Sequence, residues 1–111
     1  MPKLCRINID RSKELLEEIE LFARELKKSL PVTEVYLYGS FASGEIHEGS
    51  DIDLLIVGDF KERFFERIGK IYDLTELPIE PLVYTNEEFM QLKESQNPFI
   101  LEVLKTAKKL G

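Results

Sequence analysis

Two aspartates one residue apart, Asp51 and Asp53, head the apolar run Ile52-Asp53-Leu54-Leu55-Ile56-Val57. In a β-strand alternate side chains share a face, so the two acids point one way and Ile52, Leu54 and Ile56 the other. The carboxylates then lie about 7 Å apart along the strand, a spacing suited to a cation between them. Turn chemistry also accounts for Ser50-Asp51 where a loop enters a strand, and surface carboxylates are usually only solvated. What favours chemistry is Gly39-Ser40, which follows an earlier apolar strand and is separated from Asp51 by ten residues. A bare glycine, a hydroxyl and the exposed N–H groups of a turn hold phosphate oxygens. Paired acids bind divalent cations, and those cations neutralise phosphate, so the two features complement each other.

These residues need elements to hold them. Leu15, Leu16, Ile19, Phe22, Ala23, Leu26 and Leu30 recur at helical spacing, with Glu14, Glu17 and Glu18 early, Lys27 and Lys28 late and Pro31 as the stop. This predicts an amphipathic helix from Asp10 or Ser12 to Leu30, a scaffold element whose charged face is solvated. Thr33 to Tyr38 reads as the first strand and Asp51 to Val57 as the second, the latter too apolar on both faces for an exposed edge. Between them, Gly39 to Ser50 should begin with a helical turn and finish as loop. His47, in that loop, has no partner nearby in sequence and reads as a surface residue. Residues 1 to 9 are short and mixed, with an edge strand and a packing arm both open.

After the Gly58-Asp59 turn, Phe60, Phe64, Phe65, Ile68, Ile71 and Tyr72 predict a second helix with a phenylalanine-rich core face. Lys61, Arg63, Arg67 and Lys70 on this element form either a solvated face or a reach toward an anionic ligand. Pro78 to Tyr84 reads as a third strand whose prolines place Glu80 near a strand end or a sheet edge. Thr85-x-x-Glu88 is a capping-box pattern that starts a helix with Phe89 and Leu92. Asn97-Pro98 starts a last helix, with Ile100, Val103, Leu104 and Ala107 inward and Lys105, Lys108 and Lys109 toward its end. The fold class is α/β (α+β), a small mixed sheet with helices packed on it, in one domain over residues 1–111.

A single cysteine, Cys5, cannot form an internal disulfide, which suits a reducing cytoplasm. No apolar run has the length of a membrane span. The net charge of −6, from 21 acidic and 15 basic residues, argues against broad nucleic-acid binding, which needs a positive surface. A protein or a small molecule fits better as the second substrate of any phosphate chemistry.

Gly39-Ser40, ten intervening residues and Asp51-x-Asp53 together resemble the signature of the DNA polymerase beta-type nucleotidyltransferase superfamily. The short chain looks like its minimal nucleotidyltransferase branch. That resemblance implies the nucleotidyltransferase fold and a third acid on a later strand, at the position of Glu80. It implies transfer of a nucleoside monophosphate, AMP above all, from ATP or another nucleoside triphosphate to an acceptor hydroxyl. Two Mg²⁺ ions would be held by Asp51, Asp53 and Glu80, and the β- and γ-phosphates by Gly39 and Ser40. Two departures weaken the expectation of full activity. Ser43 stands where many relatives carry Arg or Lys, and Glu80 is one methylene longer than the commoner Asp. Glu45 and Glu48 add further negative charge nearby. Minimal nucleotidyltransferases often pair with a helical HEPN protein, an RNase toxin, so the resemblance also implies a HEPN-type partner and an antitoxin role. Three readings follow: an active enzyme modifying that protein, a non-catalytic binding module for it, and a small-molecule nucleotidyltransferase, which so short a chain favours only as a homo-oligomer.

Overall fold

The computed structural model of the chain describes residues 9–39 and 52–110. Ser40, Asp51, Cys5, Ser43, Glu45, His47 and Glu48 lie outside the described residues, as do the arm before Ile9 and the expected helical turn after Gly39.

Helix α1 runs Ile9–Ser29, with Lys27 and Lys28 in its last turn. Its stripe of Ile19, Phe22, Ala23 and Leu26 is buried, while Glu17, Glu18 and Arg24 face out. Strand β1, Val32–Tyr38, alternates. Val35 and Leu37 are fully buried against the α1 side, whereas Glu34, Tyr36 and Tyr38 on the opposite face are half-buried. Strand β2, Ile52–Gly58, is buried on both faces from Leu54 onward, as its continuous apolar run requires. Each fully buried Leu or Ile there stabilises the fold by about 1.5–3 kcal/mol.

Helix α2, Phe64–Tyr72, carries the chain to strand β3, Ile79–Thr85. Helices α3, Asn86–Glu94, and α4, Pro98–Thr106, follow, and strand β4, Lys108–Leu110, comes last. The sheet order is β3-β2-β1-β4. β1 is antiparallel to β2 and to β4, and β2 is parallel to β3, so the sheet is mixed. One face is covered by α1 and by Ile71 of α2, the other by Phe89 of α3 and Ile100 and Val103 of α4.

Two local signals act as expected. Thr85 caps α3 by accepting from the Glu88 N–H at 3.0 Å, while the Glu88 carboxylate accepts from the Thr85 N–H at 2.9 Å. Asn97 caps α4 by accepting from the N–H groups of Phe99 and Ile100 at 3.0 and 3.2 Å, with Pro98 in the first turn.

Three expectations need correction. The last helix does not continue through Lys108 and Lys109: Ala107 is extended, at φ −76° and ψ 156°, and residues 108–110 pair with β1. Burying Leu110 beside Val35 and closing the open edge of β1 outweighs one more helical turn. The second helix begins at Phe64, so Phe60 is a buried residue ahead of it. Phe65 is not core; it is 83% exposed, because α2 packs through Arg67 and Ile71 instead.

Candidate active site

β2 and β3 run parallel in a register that puts Asp53 beside Glu80, and β1 runs antiparallel to β2 with Tyr38 beside Asp53. Tyr38, Asp53 and Glu80 therefore form one row across three strands, each strand about 4.8 Å from the next. Their side chains share the α3/α4 face, since Ile52, Leu54, Ile79 and Pro81 occupy the other. β2 and β3 both enter the sheet at this end, so the two acids stand at its rim, Asp53 half-buried and Glu80 exposed.

Gly39 closes the row. Its φ is +77°, a left-handed conformation that glycine adopts without strain, and a Cβ at this position would overlap the Asp53 carboxylate. Backbone and carboxylate thus approach as closely as they do only because position 39 has no side chain.

Tyr38 is a residue the sequence did not single out. Burial, then the negative charges of Asp53 and Glu80, then the neighbouring phenol of Tyr84, push its pKa up to about 12. It stays protonated across the physiological range and can donate a hydrogen bond to an oxygen placed over the acid row. The edge of the Phe99 ring packs on it, with centroids 5.6 Å apart, so the first turn of α4 walls the site. Its place opposite Asp53 depends on strand pairing, which no local pattern encodes.

A divalent cation suits this donor set: two carboxylates from adjacent strands on one face are hard oxygen ligands within reach of a shared ion. Among the described residues no group of three or more His, Cys, Asp and Glu is placed to hold a metal, and the remaining acid of the expected set, Asp51, is outside them.

Of the four cations the sequence pointed to here, Arg67, Lys70 and Lys61 have protein partners. Arg67 is 7% exposed and fully engaged: Nε donates to the Glu62 carbonyl at 2.7 Å, and Nη1 to the Val83 carbonyl at 3.1 Å. Its two terminal nitrogens also clamp both carboxylate oxygens of Glu88, at 2.8 and 3.3 Å. That contact, with the Thr85 N–H, holds the Glu88 carboxyl below the usual carboxylate range. Lys70 pairs with Glu62 at 2.8 Å, and Lys61 lies 3.8 Å from Asp59, beyond the end of β2 opposite to the acids.

Residues 16–108 match the nucleotidyltransferase domain family. A protein of Methanocaldococcus jannaschii, provisionally described as a protein adenylyltransferase, is 30% identical over 89 residues, covering 77% of this chain and 86% of that protein. A crystal structure from Sulfolobus solfataricus, provisionally described as a nucleotidyltransferase, superposes with a TM-score of 0.61 over 82% of each chain at 24% identity, a likeness of fold. With the family match spanning most of its length, the chain belongs to the nucleotidyltransferase domain family.

Proposed function

We propose that this chain transfers a nucleoside monophosphate, AMP by preference, from a nucleoside triphosphate to a hydroxyl on a protein partner. The single observation that carries the proposal is the register of Asp53 beside Glu80, with the bare α-carbon of Gly39 against the Asp53 carboxylate. The protein acceptor is supported by the description of the Methanocaldococcus relative as a protein adenylyltransferase. The acidic net charge of −6, which disfavours a polynucleotide acceptor, supports it as well. A HEPN-type protein as acceptor, and an antitoxin role for the modification, belong to the same proposal.

Asp51, Asp53 and Glu80 would hold the divalent cations, Mg²⁺ in the cell. When bound, these ions neutralise the triphosphate and lower the pKa of the acceptor hydroxyl. Gly39 and Ser40 orient the leaving phosphates through backbone N–H groups and the serine hydroxyl. The acceptor oxygen forms a bond to the α-phosphorus as the bond to the bridging oxygen breaks, and pyrophosphate departs. Glu80, exposed at the rim, takes the proton released by the acceptor. Tyr38 donates its phenolic hydrogen to an oxygen over the row and keeps that proton at working pH.

Incubating the chain with α-labelled ATP, Mg²⁺ and its co-encoded protein tests this. Label should move to the acceptor, and Asp53→Asn should reduce the transfer by about a hundredfold or more. Absence of labelled acceptor, or an Asp53→Asn variant as active as the parent, would overturn it.

A further inference from the structure

Along the outer side of β3 lies a cleft of about 470 Å³ lined by Phe64, Tyr84, Glu88, Gln91, Leu92 and Ser95. Its volume falls in the range of ligand-binding clefts. Phe64 and Tyr84 form an aromatic wall with ring centroids 6.2 Å apart, tilted by 47°. Leu92 is apolar and half-buried, and Glu88 is already satisfied by Arg67 and the Thr85 N–H. Gln91, exposed, brings an amide to the rim. Such a lining suits one planar, mostly apolar group with a polar edge.

Position decides what that group belongs to. Gly39 follows β1, on one side of Asp53 in the sheet, and Glu80 stands on the other. Phosphoryl displacement is in line, so an acceptor attacks from the side opposite the leaving pyrophosphate. That is the β3 side, where the cleft lies. Tyr84 is four residues along β3 from Glu80, about 13 Å at the rise of a strand. A nucleobase hangs from the α-phosphate by a single ribose, whereas an anchor about 13 Å away suits an extended chain. The aromatic surface also continues outward. Phe65, 83% exposed, packs edge-on against Phe64 with centroids 5.5 Å apart, as at the aromatic centre of a protein contact.

We propose that this cleft anchors the acceptor: a polypeptide segment seats an aromatic side chain between Phe64, Tyr84 and Leu92, about four residues from the hydroxyl it presents at Glu80. This rests on the nucleotidyl-transfer reading above and adds the chemistry that selects the partner.

N-acetyl-L-phenylalaninamide is the probe, titrated into the full chain while the resonances of Phe64, Tyr84 and Leu92 are followed, with and without the non-hydrolysable nucleotide AMPCPP and Mg²⁺. Saturable binding that nucleotide changes by less than about twofold, and that Ser95→Trp weakens by about tenfold or more, is the expected result. Ser95 is exposed, so a tryptophan there fills the cleft without entering the core; Phe64→Ala removes the wall as a second variant. If the amide never saturates while nucleotide binds, the anchor is wrong and the transferase reading stands. Displacement of the amide by nucleotide overturns the proposal by giving the cleft to the nucleobase. Seating of the amide by a chain that binds no nucleotide removes the transferase reading and the acceptor role together.

Discussion

An alanine at position 39 would set its Cβ on the Asp53 carboxylate while holding a φ of +77°. The left-handed backbone alone costs a residue with a Cβ about 1–2 kcal/mol. The clash displaces the Asp53 carboxylate or the backbone at position 39, and a misplacement near 1 Å can cost about a hundredfold in rate. Gly39→Ala should therefore lower both the urea midpoint and label transfer; a variant with full transfer would mean that the contact does not matter for the reaction. Gly69, mid-helix with nothing within 4 Å of an added Cβ, should respond in the opposite direction. Gly69→Ala should raise stability by about 0.5–1 kcal/mol in the same titration and leave transfer alone. At this scale the sequence was informative wherever residue type and face were enough. Asp53 lies on the face opposite Ile52, Leu54 and Ile56 by simple alternation. Tyr38 was not legible as a site residue, because its neighbours Asp53 and Glu80 reach it through two strand pairings.

The element that carries the far wall of the cleft, α3, is tied to α2 by a contact no local pattern announces. Arg67 and Glu88 are 21 residues apart, and in the sequence Arg67 read as part of a solvated face or as a reach toward an anionic ligand, not as a buried clamp. Thr85 and Glu88, by contrast, are three residues apart, which is why the cap was legible and the ion pair was not. The same contrast explains β4: Lys108 and Lys109 look like a cationic helix end until the open edge of β1 offers Leu110 a place beside Val35. The Arg67 contact lowers the Glu88 pKa in the folded state. Its stabilisation is present above the unfolded carboxyl value, about pH 4 to 5, and is lost as pH falls through the lower folded value. The Glu88 side chain is 44% exposed and Arg67 keeps two carbonyl acceptors, so solvent screening reduces the loss on Glu88→Gln to about 1–2 kcal/mol at neutral pH. Urea midpoints measured from pH 7 to pH 3 should fall more steeply for the parent than for Glu88→Gln, and the two curves should converge at the acid end. Parallel curves would show that the pair does not titrate with folding. Asn97→Ala, which leaves the N–H groups of Phe99 and Ile100 without their acceptor, should lower stability by about 1 kcal/mol, read from the same urea midpoint at pH 7.

For the molecule as a whole, α1 to α4 and β1 to β3 were legible in order because each carries its own period, and so was the mixed sheet, whereas β4 was not. The order β3-β2-β1-β4 was not, since it depends on which edges meet after the chain has crossed the sheet. That order is what makes one rim acidic, with Asp53 and Glu80 side by side in a chain whose net charge is already −6. A nucleoside triphosphate adds more negative charge at this rim, and without a divalent cation it meets repulsion from both the site and the molecular field. In EDTA, ATP should leave the melting temperature unchanged. With Mg²⁺ at about a hundred times the dissociation constant of the complex, ligand linkage should stabilise the fold by about 2.7 kcal/mol. In a chain of this size that corresponds to a rise of about 10 °C, whereas Mg²⁺ alone, with no triphosphate to bridge, should give far less. Asp53→Asn removes a proposed ligand of the cation and one of the repelling charges together, so its two responses should move in opposite directions. The Mg²⁺–ATP shift should shrink, and any weak binding of metal-free ATP should strengthen. Stabilisation by ATP in EDTA equal to that in Mg²⁺ would mean that the acids at the rim do not meet the triphosphate through a cation, and the proposed reaction would lose its electrostatic basis.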